Sequence, residues 1–422
     1  MTSLKLFKNV ISYSFGIILS RGISLILLPV YTFYLTPDDY GNIEVITTIL
    51  QLVILLTSLQ IETSYQRYFF SKGNDKRKEV CFLTIAVLSL IALFIFIVIF
   101  NFTSLSYEDD VILSLLLIPF IAFLTNINVI IQVSLRSDDK IGAFNLLTII
   151  QVFVTATYTI LSLKYFNVSI LHVFIGQIIG LFCVVACSQK FVSFKLTYNI
   201  EIFKALLSYS LPQVPARILS FFNTYGGRFS IVYFLSPREL GIYAIAMKIS
   251  SIVMLLHQAF SLSWAPYIFK IKNLEIKLVN QIFRVLLLLI FLIVAFFHYF
   301  SDEIQSLLSS GEYKESSQLI SALVLSNALF IIKEIVDIGP KIKKQTKYIS
   351  YSYAISSVSL FLLLILLTPY YSLFGVVYAS VISNVILISV SWYYTRKLIR
   401  MNFDLISFII FNILTLGLLF YG

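Results

Sequence analysis

The chain has 422 residues, of which 59% are hydrophobic and only 12% are charged, and its mean hydropathy is +0.92. This composition excludes an ordinary water-soluble domain and predicts an integral membrane protein. The net charge of +10 gives no reason to expect nucleic-acid binding, because the basic residues concentrate in short connections between apolar runs.

Apolar runs of roughly 20 residues, the length that crosses a ~30 Å hydrocarbon core as a helix, recur along the whole chain. We therefore predict an all-α polytopic membrane protein. The predicted spans are residues 10–34, 41–64, 81–101, 111–134, 142–164, 170–187, 209–235, 240–263, 281–300, 316–339, 348–368 and 374–395, with an extra span at 402–421.

The distribution of Lys and Arg predicts the orientation in the membrane. When the connections are assigned alternately to two sides, most basic residues fall on the side of the N-terminus. Only Lys164, Arg238 and Lys314 fall in connections on the other side. Because basic connections stay in the cytoplasm, the N-terminus is predicted to be cytoplasmic.

The connection at residues 188–208 is the only inner one long enough to divide the chain. In its second half, apolar residues recur at helical spacing around Glu201 and Lys204, which is typical of an amphipathic interfacial helix. We predict four regions. These are an N-terminal six-helix lobe at residues 1–187, a cytoplasmic amphipathic linker at 188–208, a C-terminal six-helix lobe at 209–395 and an extra hydrophobic segment at 396–422.

The openings of the two predicted lobes repeat each other. Each contains "SYS", an Arg and an L-x-P-x-x-x-G stretch, at residues 12–14, 21 and 35–41 and again at 208–210, 217 and 235–241. Both copies start on the predicted cytoplasmic side and run in the same direction, which predicts a parallel repeat. Pro and Gly are predicted to form the tight outer turn between the first two helices of each lobe. The alternative is that Pro-x-x-x-Gly turns simply recur between membrane helices.

Charged side chains inside the spans are the candidates for function, because a charge at mid-bilayer costs ~2.5–3.5 kcal/mol and is retained where it faces a cavity or a partner. Four basic residues lie on the first, seventh and eighth spans: Arg21, Arg217, Arg228 and Lys248. We infer a cationic pathway between the lobes. Such a pathway suits a phosphate or pyrophosphate, because guanidinium groups bind these oxygens bidentately.

The second span carries one predicted polar face, made of Glu44, Gln51, Ser58 and Glu62. Its two carboxylates are candidates for binding the proton or sodium ion that resets a transport cycle, and Glu62 is preferred to Glu44. Glu62 also lies near the inner interface, where a structural role is an equal alternative.

The basic candidates have structural alternatives too. Arg21 could snorkel or bond a backbone carbonyl, and a helix break at Gly226 and Gly227 would move Arg228 toward the outer surface. Lys333 and Asp337 are predicted to form a local i,i+4 salt bridge. The cysteines and histidines have neither metal-ligand nor catalytic spacing, so we predict no metal and no cofactor.

The segment "SRGISLILLPVYTFYLTPDDYGNIEV", residues 20–45, resembles the opening of the Wzx-type polysaccharide flippases of the MOP exporter superfamily. The shared features are a first-span Arg, a following Pro, the L-x-P-x-x-Y-G turn and its second-lobe counterpart, at Arg21, Pro29, Leu35, Pro37, Tyr40, Gly41, Leu235, Pro237 and Gly241. The resemblance implies two six-helix lobes in a V around a cationic cavity, a role that would fall to Arg21, Arg217, Arg228 and Lys248. That superfamily usually has twelve or fourteen spans, so a thirteenth at 402–421 is a departure.

The same resemblance implies a flippase, not an enzyme, in a bacterial inner membrane. It would export undecaprenyl-diphosphate-linked oligosaccharide repeat units, such as O-antigen, by alternating access. The implied partners are this lipid-linked oligosaccharide, membrane lipids, a polysaccharide polymerase and a chain-length regulator. A MATE-like drug antiporter, which would prefer an acidic cavity, and a membrane-embedded polymerase, which would need a large outer loop or a nucleotide-sugar motif, are the rival classes.

Overall fold

The computed structural model describes residues 22–23, 25–69, 74–102, 109–166, 168–270, 276–343, 345, 347–399, 401 and 403–421. Most of the first predicted span and its Arg21 lie outside the described residues. Every regular element of the described chain is helical, so the predicted all-α class is confirmed.

The chain divides into two compact units. Unit 1 comprises the described residues of Met1–Leu35 and Asn42–Ile218, and unit 2 comprises Thr36–Gly41 and the described residues of Leu219–Gly422. The first copy of the repeated L-x-P-x-x-x-G stretch therefore lies mostly in unit 2, although the first half of the chain supplies it.

Unit 1 is built from helices that pack around a core of aliphatic and aromatic side chains. In chain order they are α1 (Leu28–Tyr34), most of α2 (Pro37–Ser58), α3 (Ile61–Tyr68), α4 (Asn74–Phe102), α5 (Asp109–Ser137), α6 (Ile141–Tyr165), α7 (Leu171–Ser188) and α8 (Ile200–Ser210). The predicted amphipathic helix is confirmed as α8, because Leu206 is buried and Lys204 is exposed. The Ser64 hydroxyl of α3 donates a hydrogen bond to the Leu206 carbonyl at 2.7 Å and fixes α8 to the unit.

The second predicted span is wrong in its last part. Helix α2 ends at Ser58, and Leu59 and Gln60 adopt left-handed backbone angles, with φ of 46° and 58°. Such angles cost roughly 1–2 kcal/mol for a residue with a Cβ, so the core packing of α3 must hold them in place. Glu62 therefore lies in the first turn of a separate helix and does not extend the polar face that starts at Glu44.

Unit 2 contains the second half of the chain. Its helices are the larger part of α9 (Val214–Phe234), α10 (Pro237–Ser250), α11 (Ile252–Lys270), α12 (Ile276–Tyr299), α13 (Ser301–Leu308), α14 (Ser317–Val336), α15 (Ile338–Ile342), α16 (Lys347–Ile399) and α17 (Leu405–Tyr421). The eighth predicted span, residues 240–263, corresponds to a bent helix pair, in which an angle of 41° separates Pro237–Ser250 from Ile252–Ser261.

Eight helices of the described chain are long and apolar enough to cross a membrane, or nine if the bent pair forms one span. One of the eight, α16, has 53 residues and would be about 80 Å long if straight. It folds back instead at Ser372, where φ is 52° and ψ is −134°, three residues after Pro369. The Ser356 and Ser383 hydroxyls, 27 residues apart, are then only 2.8 Å from each other, so α16 is a hairpin of two spans, as predicted for residues 348–368 and 374–395.

The C-terminal helix α17 packs against α12. At its first turn the Asp404 carboxylate accepts hydrogen bonds from the backbone N–H and the hydroxyl of Ser407, which lower the pKa of this carboxyl together with the nearby Arg284 guanidinium. The Phe283, Phe403 and Phe408 rings are buried at the same junction. The apolar part of α17, Leu405–Leu419, is shorter than any of the eight spanning helices.

The two copies of the repeated stretch meet inside unit 2 with almost no space between their backbones. A Cβ built on Gly41 would lie 1.8 Å from the Pro237 carbonyl oxygen, and a Cβ built on Gly241 would lie 2.0 Å from the Pro37 carbonyl oxygen. We call this reciprocal contact of Pro37, Gly41, Pro237 and Gly241 the glycine crossing. Both prolines occupy the first residue of a helix, as expected for an outer turn. Both glycines lie inside helices, so their predicted role as turn residues is wrong: their function is close backbone packing.

Replacing Gly41 or Gly241 with Ala is expected to destabilise the protein, because the added methyl group meets backbone atoms that no rotamer change can move. Overpacking of this kind costs roughly 1–3 kcal/mol. Thermal unfolding of the purified variants in detergent measures the loss. Gly142→Ala is the matched control, because a Cβ there has no neighbour within 4 Å; an equal melting temperature for all three variants would contradict the glycine crossing.

Candidate functional site

The Glu62 carboxylate and the Arg217 guanidinium interact electrostatically within unit 1. Glu62 lies in the short helix α3, beyond the end of the spanning helix α2, and Arg217 lies in the first turn of α9. Burial raises the pKa of Glu62 above its ordinary value, while a backbone hydrogen bond and the positive charge of Arg217 oppose the rise. Glu44 is half-buried in α2 of the same unit, on a different helix from Glu62 because of the break at Leu59 and Gln60.

Lys248 lies beside the glycine crossing in unit 2. Its Nζ donates a hydrogen bond to the Tyr40 hydroxyl at 2.8 Å. The Tyr40 ring in turn packs edge-on against the buried Tyr313 ring, with the ring centroids 6.2 Å apart. The ammonium group of Lys248 is thus bound to the first copy of the repeat.

Arg228 lies on α9 in unit 2, and its guanidinium stacks over the Tyr225 ring at 4.7 Å from the centroid. Helix α9 continues through Gly226 and Gly227 without interruption, so the alternative of a helix break at these residues is wrong. Gly227 instead allows close packing, since a Cβ there would lie 2.9 Å from the Val376 side chain. Arg217 and Glu62 thus belong to unit 1, and Arg228 and Lys248 belong to unit 2.

Unit 2 contains a cavity of about 340 Å³ between α9, α10, α11, α14 and α16, and both polar and apolar side chains line it. Its polar wall consists of hydroxyl, amide, phenol and imidazole groups, from Ser220, Asn223, Thr224, Tyr243, His257, Ser326, Asn327, Tyr353, Ser356, Ser380, Ser383 and Asn384. None of the described residues that line it carries a carboxylate, an ammonium or a guanidinium group. Arg228 and Lys248 are not part of this wall.

Three asparagines of the wall are held in place by hydrogen bonds to serines on neighbouring helices. The Asn223 amide nitrogen donates to the Ser357 hydroxyl at 2.6 Å, and that of Asn327 donates to the Ser250 hydroxyl at 3.1 Å. The Asn384 amide nitrogen donates to both the carbonyl and the hydroxyl of Ser326, at 3.1 and 3.0 Å. Because an amide has a donor end and an acceptor end, each of these bonds fixes the direction of a side-chain carbonyl oxygen.

Two ion pairs border the cavity, one of them buried. The Lys333 ammonium lies 2.7 Å from the Asp337 carboxylate, which confirms the predicted i,i+4 pair, and also lies over the ring of Tyr353, a residue of the wall. Glu334 pairs with Lys341 and lies 3.8 Å from the imidazole of His257, another residue of the wall. In the described part of the chain no three His, Cys, Asp or Glu side chains are placed to hold a metal ion.

Sequence reasoning missed the asparagines of the cavity. It searched the spans for charges, and a neutral amide barely interrupts an apolar run. One signal was present: the same Ser-Asn pair occurs within the apolar spans at Ser326 and Asn327 and again at Ser383 and Asn384. All four of these side chains line the cavity.

The fold of this chain is similar to that of solved membrane transporters. The chain is similar to the solved structure of the lipid II flippase MurJ in an inward closed conformation, with a TM-score of 0.73 and 18% identity over 97% of this chain and 92% of that one. It is also similar to an inward-facing multidrug resistance MATE family transporter of the MOP superfamily, with a TM-score of 0.66 and 13% identity over 89% and 94% of the two chains. The chain therefore shares the fold of these two solved structures.

The family follows from sequence. The model of the family described as polysaccharide biosynthesis protein matches residues 6–272, which is more than half of the chain, so the chain belongs to this family. A relative from Staphylococcus aureus, the capsular polysaccharide biosynthesis protein CapF, is 23% identical over 86% of this chain and 92% of its own length.

The Glu62 pair gives a pH prediction. Because the pKa of Glu62 is raised in the folded protein, its contribution to stability is fully present below the ordinary pKa and is lost as pH rises through the raised one. Arg217→Ala should raise this pKa further and move the loss to higher pH. Difference infrared spectroscopy of the protonated carboxyl group measures the shift. Glu62→Gln identifies the band, and Arg67→Ala, an exposed arginine of the same helix, is the control; an unchanged titration in Arg217→Ala would contradict the electrostatic link.

Lys333→Met should destabilise the protein by roughly 3–5 kcal/mol, because it leaves the buried Asp337 carboxylate without its partner. The double variant Lys333→Met, Asp337→Leu should recover part of this loss. Denaturation of the four proteins of the mutant cycle measures the coupling. Lys343→Met, at an exposed lysine nearby, should change little; simple additivity of the two single changes would argue against the pair.

Proposed function

We propose that this protein is a flippase that moves undecaprenyl-diphosphate-linked oligosaccharide repeat units, of O-antigen or a similar surface polysaccharide, across a bacterial inner membrane. The observation that carries the proposal is the match of residues 6–272 to the polysaccharide biosynthesis protein family, on a chain with the fold of the MOP superfamily. The capsular polysaccharide role in the name of the relative from Staphylococcus aureus supports the same substrate class. A polymerase and a chain-length regulator are the proposed downstream partners.

The proposed mechanism is alternating access. The N-terminus lies in the cytoplasm, and Arg21, Arg217, Arg228 and Lys248 attract the diphosphate of the substrate while the lipid tail stays in the bilayer. Net export needs a difference in affinity between the states. Glu62 is the preferred candidate for coupling to a proton or sodium ion because burial raises its pKa, so its ionised form is unfavourable without a counter-charge.

Expression of the chain in a strain that lacks its own flippase is expected to restore surface polysaccharide. Arg21→Ala and Arg217→Ala should each reduce it to about a tenth, the effect of losing one charge-assisted hydrogen bond of roughly 1.5 kcal/mol. Lys at either position should retain more activity than Ala if charge matters more than bidentate geometry.

Arg67→Ala removes an exposed arginine from α3 and should leave surface polysaccharide unchanged. Full activity of both alanine variants would count against the cationic site. Drug resistance conferred by the wild-type chain, without restored polysaccharide, would favour the MATE-like antiporter instead.

A further inference from the structure

The cavity of unit 2 has no part in the cationic mechanism described above. Its volume of about 340 Å³ falls at the lower end of the range of ligand sites, ~300–1,000 Å³. Buried polar atoms are costly when they have no hydrogen-bond partner, so a ligand or water is expected at those atoms of the wall that the protein itself does not satisfy. The chemistry of the wall determines what this can be.

The wall selects against ionic ligands. A diphosphate requires basic groups and a cationic drug requires carboxylates, and the described lining supplies neither. The ion pairs that border the cavity, Lys333 with Asp337 and Glu334 with Lys341, neutralise each other outside it. What remains is a site for a neutral molecule with many hydrogen-bonding groups.

The fixed amides make the site directional. Asn223, Asn327 and Asn384 donate their amide hydrogens to serines or a serine backbone carbonyl, and their carbonyl oxygens remain available to accept from a ligand. These asparagines stand on three different spans, α9, α14 and the second half of α16, so a ligand would be held from several sides. Groups positioned by helices in this way are held more accurately than groups on loops.

The remaining wall has both of the properties that a pyranose ring needs. The hydroxyls of Thr224 and Ser380 donate to the backbone carbonyls of Ser220 and Val376, and their oxygens can accept from sugar hydroxyls. The aromatic side chains of Tyr243 and Phe330 offer apolar surface to the C–H face of the ring. We propose that this cavity is a binding subsite for one uncharged sugar residue of the transported glycan. The inference rests on the proposed function for its biological ligand, while the binding itself can be tested alone.

The test uses the full-length protein in nanodiscs and saturation-transfer NMR. The probes are the methyl glycosides of glucose, galactose and N-acetylglucosamine, with methyl glucuronoside as the charged analogue. At least one neutral glycoside is expected to bind, and the glucuronoside to bind at least about tenfold more weakly, because an unpaired carboxylate would enter a site without positive charge.

Asn327→Leu and Asn384→Leu should each weaken binding of the neutral glycoside about tenfold, the loss expected for one buried hydrogen-bonding group. Asn412→Leu is the matched control, because Asn412 lies on α17 outside the cavity and donates only to the Phe408 carbonyl of its own helix. This control should bind like the wild type.

Two binding results would overturn the inference: no binding of any neutral glycoside, or unchanged binding in both cavity variants. A third would be a higher melting temperature in sodium chloride than in choline chloride, if Asn384→Leu abolishes this difference. The last result would make the cavity a cation site. The complementation assay separates the two proposals. If the wild type restores surface polysaccharide and both cavity variants restore it equally, the sugar subsite fails alone; if the wild type restores none while neutral glycosides bind, the proposed function fails and the subsite stands.

Discussion

The contact on which unit 2 depends is the backbone-to-backbone packing at the glycine crossing. Each copy of the repeated stretch places its proline carbonyl where the Cβ of the other copy's glycine would be. The contact therefore requires a glycine at the same position of both copies, which gives a physical reason for that part of the repeat. The crossing also places Tyr40 within reach of Lys248 and Tyr313, so the polar contacts of this region follow from a steric condition.

The spans could be predicted because the hydropathy of roughly 20 successive residues adds up in each of them. Breaks within spans could not be predicted in the same way. Leu59 and Gln60 are ordinary helix formers, and nothing local in the sequence indicates that they adopt left-handed angles. The reversal inside α16 was predictable, since Pro369 cannot donate to the helix and the apolar pattern already contains two spans.

For the candidate site, one charged contact could be predicted from the sequence, and the neutral polar groups could not. The Lys333–Asp337 pair follows from sequence spacing alone, and the structure places it in a buried position. The cavity of unit 2 depends on residues from five helices that are up to about 167 positions apart in the chain, between Ser220 and Leu387. Such a convergence of neutral side chains leaves no local pattern, because each helix contributes only a few of them.

The separation of charged from neutral groups in unit 2 has an electrical consequence. Moving one elementary charge across a membrane potential of 100 mV changes its free energy by about 2.3 kcal/mol. A neutral molecule in a wall without fixed charge experiences no such force, so occupation of this cavity would be insensitive to voltage. Any dependence of the whole cycle on membrane potential would then have to arise from ionisable groups elsewhere, such as the Glu62 carboxylate, whose pKa is raised by burial.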